Sequence, residues 1–204
     1  MAEKKELSRL QRRNRGNILA AALDEFSKHG FRGATLDHIA AAAGMSKPNL
    51  IYYYPTKEVV FLSLLDQIMD RWLAPLREID PNGEPIEEIL TYVRRKVRMS
   101  RDMPRESRLF AHEIVQGAPR MEGNISEDLA ALFGQTKDLF EQWMRQGRLA
   151  TCDPTHLIFS IWATTQHYAD FDAQIQFLAD PNADVLEDAE TFLITLYRKM
   201  LTPD

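Results

Sequence analysis

Cysteine is nearly missing from these 204 residues: Cys152 stands alone, so no intrachain disulfide can form and no oxidising compartment is required. No Cys/His cluster has zinc-ligand spacing, and a structural zinc site drops out with it. Long apolar runs are missing too. Nothing approaches the roughly 18 consecutive apolar residues of a membrane span, and the opening MAEKKELSRLQRRNRG has no apolar stretch of the secretory kind. A cytoplasmic chain that meets no membrane is expected. Alternation with period two never lasts long enough for a strand, and neither an internal repeat nor a low-complexity linker is found.

What is present is ordinary globular usage, 45% hydrophobic and 27% charged, in a chain long enough for one large domain or for a small head and a larger body. Charge separates those two parts. The formal net charge is -5, yet residues 1–60 carry ten Lys/Arg against six Asp/Glu, while the remainder carries fifteen against twenty-four. Lys4, Lys5, Arg9, Arg12, Arg13 and Arg15 crowd the first fifteen positions, where a polyanion would draw them in by releasing condensed counterions. The same run also reads as a solvated helix start.

Periodicity predicts an all-α chain of about nine helices. The first runs from Leu7 to His29 and stops at Gly30; the second lies in TLDHIAAAA, capped by Thr35 and ended by Gly44. The third opens at Ser46 with Pro48 in its first turn and breaks at Tyr54-Pro55, and Thr56 caps a run from Lys57 to about Ile79. Further helices are predicted over 85–101, 104–117, 121–147, 154–178 and 183–201, each bounded by proline or glycine. Residues 1–56 form the expected head and 57–204 the body.

Two short helices joined by a glycine-containing turn have the form of a helix-turn-helix, whose second helix enters a DNA major groove. Ser46, Lys47, Asn49, Tyr52 and Tyr53 would give its first turns hydrogen-bonding groups for base edges and phosphates. Thr35 and Lys57, each at a helix start, would grip the backbone on either side. Segments Phe31–Thr35, Ile39-Ala40, Ala43–Lys47 and Leu50–Glu58 resemble the TetR-type one-component transcription regulators. In the wider family Tyr commonly stands where Ile51 does and Phe where Tyr54 does.

Resemblance continues into the body. Trp72–Leu76, Ser100–Asp102, Ser107–Phe110, Gly117–Pro119, Asp153-Pro154, His156–Phe159 and Ile161–Phe171 are similar to the pyrimidine-utilisation branch of that family, whereas the tail from Asp172 is less alike. The resemblance implies a homodimeric repressor released from double-stranded operator DNA by a free pyrimidine base such as uracil or thymine, controlling pyrimidine catabolism. No cofactor is expected. Trp162 and Gln166 are four apart on one helix with Phe159 a turn before, which places a flat apolar plate beside an amide. Such an amide can pair with a uracil-like ring while indoles at Trp72 and Trp162 cover its faces, and Met69 and Phe110 are candidate walls. Without that resemblance, aromatic residues at this spacing read as core.

Other residues read as structural. His156 and His167 are eleven apart, roughly 16 Å along a helix, too far to share a metal. Asp153 is expected to cap its helix, Cys152 to be inert, and His112-Glu113 to be a surface pair. Leu186, Leu193, Leu196 or Tyr197, and Met200 form the stripe expected to hold a dimer. A regulator induced by some other aromatic or amphipathic molecule would share the head and differ in the pocket. An all-α enzyme acting on a pyrimidine would need a nucleophile-base set, metal site or phosphate loop, none of which is read here, so no catalytic residue is assigned.

Overall fold

The computed structural model describes residues 8–121 and 124–203. Among these residues every regular element is an α-helix, and there are ten rather than about nine. The chain divides into two compact units, residues 1–68 and 69–204, and the division falls inside the fourth helix.

In the first unit, α1 (Arg9–Gly33) is capped reciprocally: the Ser8 hydroxyl accepts the Gln11 backbone N–H at 3.2 Å, and the Gln11 side chain accepts the Ser8 N–H at 2.9 Å. The predicted start at Leu7 lies outside the described residues, as do Lys4 and Lys5. Ile18, Ala21, Ala22 and Phe26 recur three or four apart, so the helix buries them on one face. Gly30 interrupts the helical path at φ 65°, ψ 175°, and a last turn follows to Gly33. Helix α2 (Leu36–Ala42) buries Ile39 and Ala40; α3 (Lys47–Tyr53) buries Leu50. Between them Gly44, at φ 68°, supplies the left-handed residue that lets Met45 N–H bond the Ala40 carbonyl. Helix α4 (Lys57–Arg77) contributes Phe61, whose ring meets Phe26 at 4.9 Å and Phe31 at 5.1 Å between centroids. Truncating the buried Phe26 to Ala removes enough of this aromatic core to cost about 3–5 kcal/mol.

The second unit is built on α5 (Pro85–Asp102), flanked in sequence by α4 and α6 (Pro104–Val115). Beyond lie α7 (Asn124–Arg145), α8 (Pro154–Asp170), α9 (Asp172–Leu178) and α10 (Val185–Leu201). Proline opens α5, α6 and α8, where its missing N–H leaves no helical bond unmade. Ile89, Val93 and Val97 of α5 pack with Phe140 and Trp143 of α7, Leu157, Ile158 and Ile161 of α8, and Leu193, Tyr197 and Leu201 of α10. Helices α5 and α10 run antiparallel, with Arg101 paired to Asp184 and Arg198 to Glu87, each at 2.8 Å. These exposed pairs add little beside the apolar core.

Four expectations change. The stretch 154–178 is two helices, because Phe171 leaves helical geometry (φ -112°, ψ 27°) and α9 buries none of its residues. The helix expected from 121 is described from Asn124, Met121 preceding it as loop. Glu113 is no surface partner of His112: it is buried, and its carboxylate accepts the Arg120 backbone N–H at 3.0 Å and its guanidinium at 2.9 Å, closing the loop after α6. In the α10 stripe, Leu193 and Tyr197 are consumed by the subunit's own core, and the exposed row is Phe192, Leu196 and Met200. Asp153 does cap α8, accepting the N–H groups of Thr155 and His156. Those bonds, the His156 one first, hold its carboxyl below the usual range. Burial first, and the Asp153 charge second, push the Cys152 thiol up, away from the nucleophilic thiolate. No helix of the described residues is long and apolar enough to cross a membrane, and no group of three or more His, Cys, Asp or Glu among them could hold a metal.

Candidate functional site

In the first unit the groups read from the sequence gather on α2, α3 and the start of α4. Thr35 and Ser46 accept the N–H of His38 and Asn49 at 3.2 and 3.4 Å, and each hydroxyl keeps its own proton to donate. Lys47 is paired with Asp37 at 2.9 Å on the exposed surface, a contact between α3 and α2 weak enough to exchange for a phosphate. Asn49 and Tyr52 are exposed, Tyr52 at 71%. Tyr53 differs: its hydroxyl accepts a hydrogen bond from the Asn14 amide at 2.9 Å, and its ring meets that of Tyr52 at 5.1 Å. Lys57 donates to the Ala34 carbonyl at 2.9 Å and lies 4.6 Å from the Phe31 ring centre, leaving two of its three protons. Asn14 and Arg15, the latter 4.7 Å over the Tyr54 ring, complete this face from α1. The sequence gives no cue to either contact, since both join residues about 39 apart.

In the second unit Met69 and Trp72 are buried on α4, and Trp72 meets the half-buried Phe110 edge-on at 5.2 Å. Trp162 lies in another ring cluster, 5.9 Å from Phe133 and 5.8 Å from Phe159, with its indole N–H donated to the Tyr92 hydroxyl at 2.6 Å. Burial pushes the Tyr92 phenol up, so that hydroxyl stays protonated. Gln166 is half-buried one turn beyond Trp162, and its side chain enters no hydrogen bond among the described residues. The two indoles therefore do not stack on each other. They are joined by α5, where Tyr92 touches Trp162 and Lys96, one turn on, sets its ammonium 4.9 Å from the centre of Trp72.

Lys96 is absent from the sequence reading. It is only 4% exposed, and its ammonium forms no hydrogen bond among the described residues. Burial pulls its pKa down to about 8, with the charge of Asp170 opposing. Burial also pushes the Asp170 carboxyl up, against the Ser107 hydroxyl that donates to it and the charges of Arg108 and Lys96. Ser100 to Thr165 O at 2.8 Å and Arg108 to Ala169 O at 3.0 Å lace α5 and α6 to α8 around this pair. A signal for Lys96 existed: it falls in register with Ile89, Val93, Val97 and Ser100 on the inward stripe of α5, where a lysine is out of place. Trp72 thus has a buried cation at its ring face, and an unengaged carboxamide stands on α8 one turn beyond Trp162.

The family described as bacterial regulatory proteins, tetR family, matches residues 18–64, and that described as YcdC-like protein, C-terminal region, matches 65–204. The HTH-type transcriptional regulator RutR of Escherichia coli is 48% identical over 159 residues, covering 78% of this chain and 75% of that protein. The HTH-type transcriptional repressor NicS of Pseudomonas putida is 41% identical over 56 residues, covering 28% of this chain and 26% of that one. Among solved structures, AibR in complex with isovaleryl coenzyme A and operator DNA aligns with a TM-score of 0.67 at 19% identity, covering 94% of this chain and all of that chain. A ketosteroid transcriptional regulator of Mycobacterium tuberculosis aligns at 0.72 and 19%, covering 93% and 95%. These two establish a likeness of fold.

Proposed function

The chain belongs to the TetR family of bacterial regulatory proteins, and from that membership we propose that it is a repressor released from its operator by a free pyrimidine base, uracil or thymine. It is a DNA-binding transcriptional regulator closely related to RutR, not an enzyme. Residues 1–56 serve as the DNA-binding head, and 57–204 bind the ligand and a second copy of the chain. Thr35, Ser46, Lys47, Asn49, Tyr52, Tyr53 and Lys57 contact the duplex. Base edges fall to the exposed start of α3, and phosphates to Thr35 and Lys57 on either side.

The ligand lies against Trp72 and Trp162, with Met69 and Phe110 as walls and Gln166 reading its edge. The observation that carries this reading is the Gln166 carboxamide, half-buried beside an aromatic cluster with no partner for its donor or acceptor among the described residues. A half-buried amide with no protein partner is free to pair with a ligand, and a ring with adjacent carbonyl and N–H groups satisfies both ends at once. The pyrimidine-utilisation resemblance of Trp72–Leu76 and Ile161–Phe171 supports the same ligand class. Controlling pyrimidine catabolism follows from it.

Release follows from linkage. The base lowers operator affinity only as far as it binds the released conformation more tightly, tenfold for each ~1.4 kcal/mol of preference. In a dimer the two recognition helices must meet half-sites about 34 Å apart or a multiple of it, so a small change in either head spoils both grips. The test is thermal melting with uracil, thymine and unrelated aromatic compounds, followed by operator binding in the same series. A melting rise confined to the pyrimidines, with loss of the DNA complex, is expected. A rise with unrelated aromatics and none with pyrimidines overturns the ligand assignment.

A further inference from the structure

We propose that Lys96 is a specificity-determining residue of the ligand site, donating from its ammonium to a ring carbonyl oxygen of the bound base. This rests on the pyrimidine reading above and adds to it the group that requires an oxo ring.

Three observations carry the inference. Lys96 is almost wholly buried, yet its three ammonium protons meet no acceptor at hydrogen-bonding distance among the described residues. The Trp72 ring face stands 4.9 Å from its ammonium, the same indole proposed as the apolar wall of the site. Its one nearby anion, Asp170, is already bonded to Ser107 and is itself disfavoured as a charge by burial, so it is an incomplete counter-ion. A buried cation in this condition stabilises a ligand that brings an acceptor, because the ligand removes an unmet desolvation cost already present in the free protein.

The occupant is constrained by the same groups. A ring lying on Trp72 presents its edge, and therefore its exocyclic atoms, to neighbouring side chains. With one edge paired to Gln166, a second carbonyl meets Lys96, which a base with two oxo groups provides. A site built to donate to a carbonyl rejects an analogue whose atom there accepts poorly, since the donor is then left unpaired.

The test is isothermal titration of the full chain with uracil, 2-thiouracil and 4-thiouracil, on the natural sequence, Lys96→Met and Lys96→Arg. Sulfur accepts hydrogen bonds weakly, so one of the two thio compounds should bind the natural protein at least tenfold more weakly than uracil. In Lys96→Met uracil itself should weaken by tenfold or more and that thio penalty should vanish, whereas Lys96→Arg should keep part of it. A cavity or packing defect would weaken all three ligands alike and leave the penalty in place. Uracil bound by Lys96→Met as tightly as by the natural chain, or an unchanged thio penalty, overturns the assignment. If Lys96→Met fails to fold, equal affinity of the natural protein for all three compounds overturns it. Failure of the natural protein to bind uracil at all brings down the pyrimidine reading, a distinct outcome.

Discussion

The Asn14 side chain donates to the Tyr53 hydroxyl at 2.9 Å, tying α1 to the end of α3 across 39 residues of sequence. Through this bond α1 helps fix the recognition element, whose seven residues are too few to hold a helix by themselves. Tyr53→Phe and Asn14→Ala should each destabilise the protein by about 0.5–1.5 kcal/mol, with the double variant costing less than the sum. Additive losses in a denaturation series would show that the pair does not interact in solution.

Lys47 and Lys57 should answer salt differently from the aromatic residues of the face. Replacing either by Ala should weaken operator binding and lower the slope of log affinity against log salt by about 1, the signature of one lost phosphate contact. Tyr52→Ala should weaken binding with the slope kept. Because Lys57 also holds the Ala34 carbonyl, its variant should lose some stability, whereas the exposed Lys47–Asp37 pair predicts almost none for Lys47→Ala. A slope unchanged in both lysine variants counts against the proposed phosphate contacts.

Trp72→Ala and Gln166→Ala should leave the operator complex intact at uracil concentrations that dissolve it for the natural protein. Loss of at least tenfold in uracil affinity is expected from the amide alone. Gel retardation across a uracil series reads the outcome, and release at the ordinary concentration removes these residues from the site.

The Lys96 ammonium gives stability a pH dependence whose sign is fixed. An unfolded lysine titrates at about 10.4, while burial in the folded chain brings this one to about 8. Between those values the unfolded chain holds the more protons, so stability should rise with pH through that window and stay at its lower level below pH 8. Burial pushes the nearby Asp170 carboxyl up, and its charge opposes the lowering at Lys96. Lys96→Met should abolish the rise and raise stability at neutral pH by about 1–4 kcal/mol. Equilibrium denaturation at several pH values measures both.

Phe192, Leu196 and Met200 lie four apart on α10 and are exposed, a row suited to pairing with a second copy. Leu196→Glu should yield monomers in sedimentation at micromolar concentration and abolish operator binding. A natural protein that sediments as a monomer under those conditions refutes the dimer.

How legible all this was depends on how local the signal is. Caps, glycine turns and prolines act within a few residues, so the starts of α2, α3, α5, α6 and α8 follow from Thr35, Ser46, Pro85, Pro104 and Asp153. The break at Phe171 has no such punctuation, and apolar spacing that continues through Ile175 and Leu178 conceals it. In α10, Leu193 and Leu196 occupy adjacent faces that a single stripe cannot separate; only contact with α5 and α8 decides which is inside. Trp72 and Phe110 were legible as types, and the structure brings their rings together, but Asn14, Lys96 and Asp170 act through partners far away in sequence. Glu113 was misread because its partner Arg120, seven residues on, lies in the loop beyond the helix end.

The three indoles are unequally committed: Trp143 gives its N–H to the Pro81 carbonyl and Trp162 to Tyr92, while Trp72 alone has a cation beside its ring. A positive charge fixed at one side of an indole shifts the energy of its charge-separated excited state. The intrinsic fluorescence of this chain thus has one emitter tuned by a neighbouring proton and two anchored ones, a built-in optical gauge of what happens at Trp72.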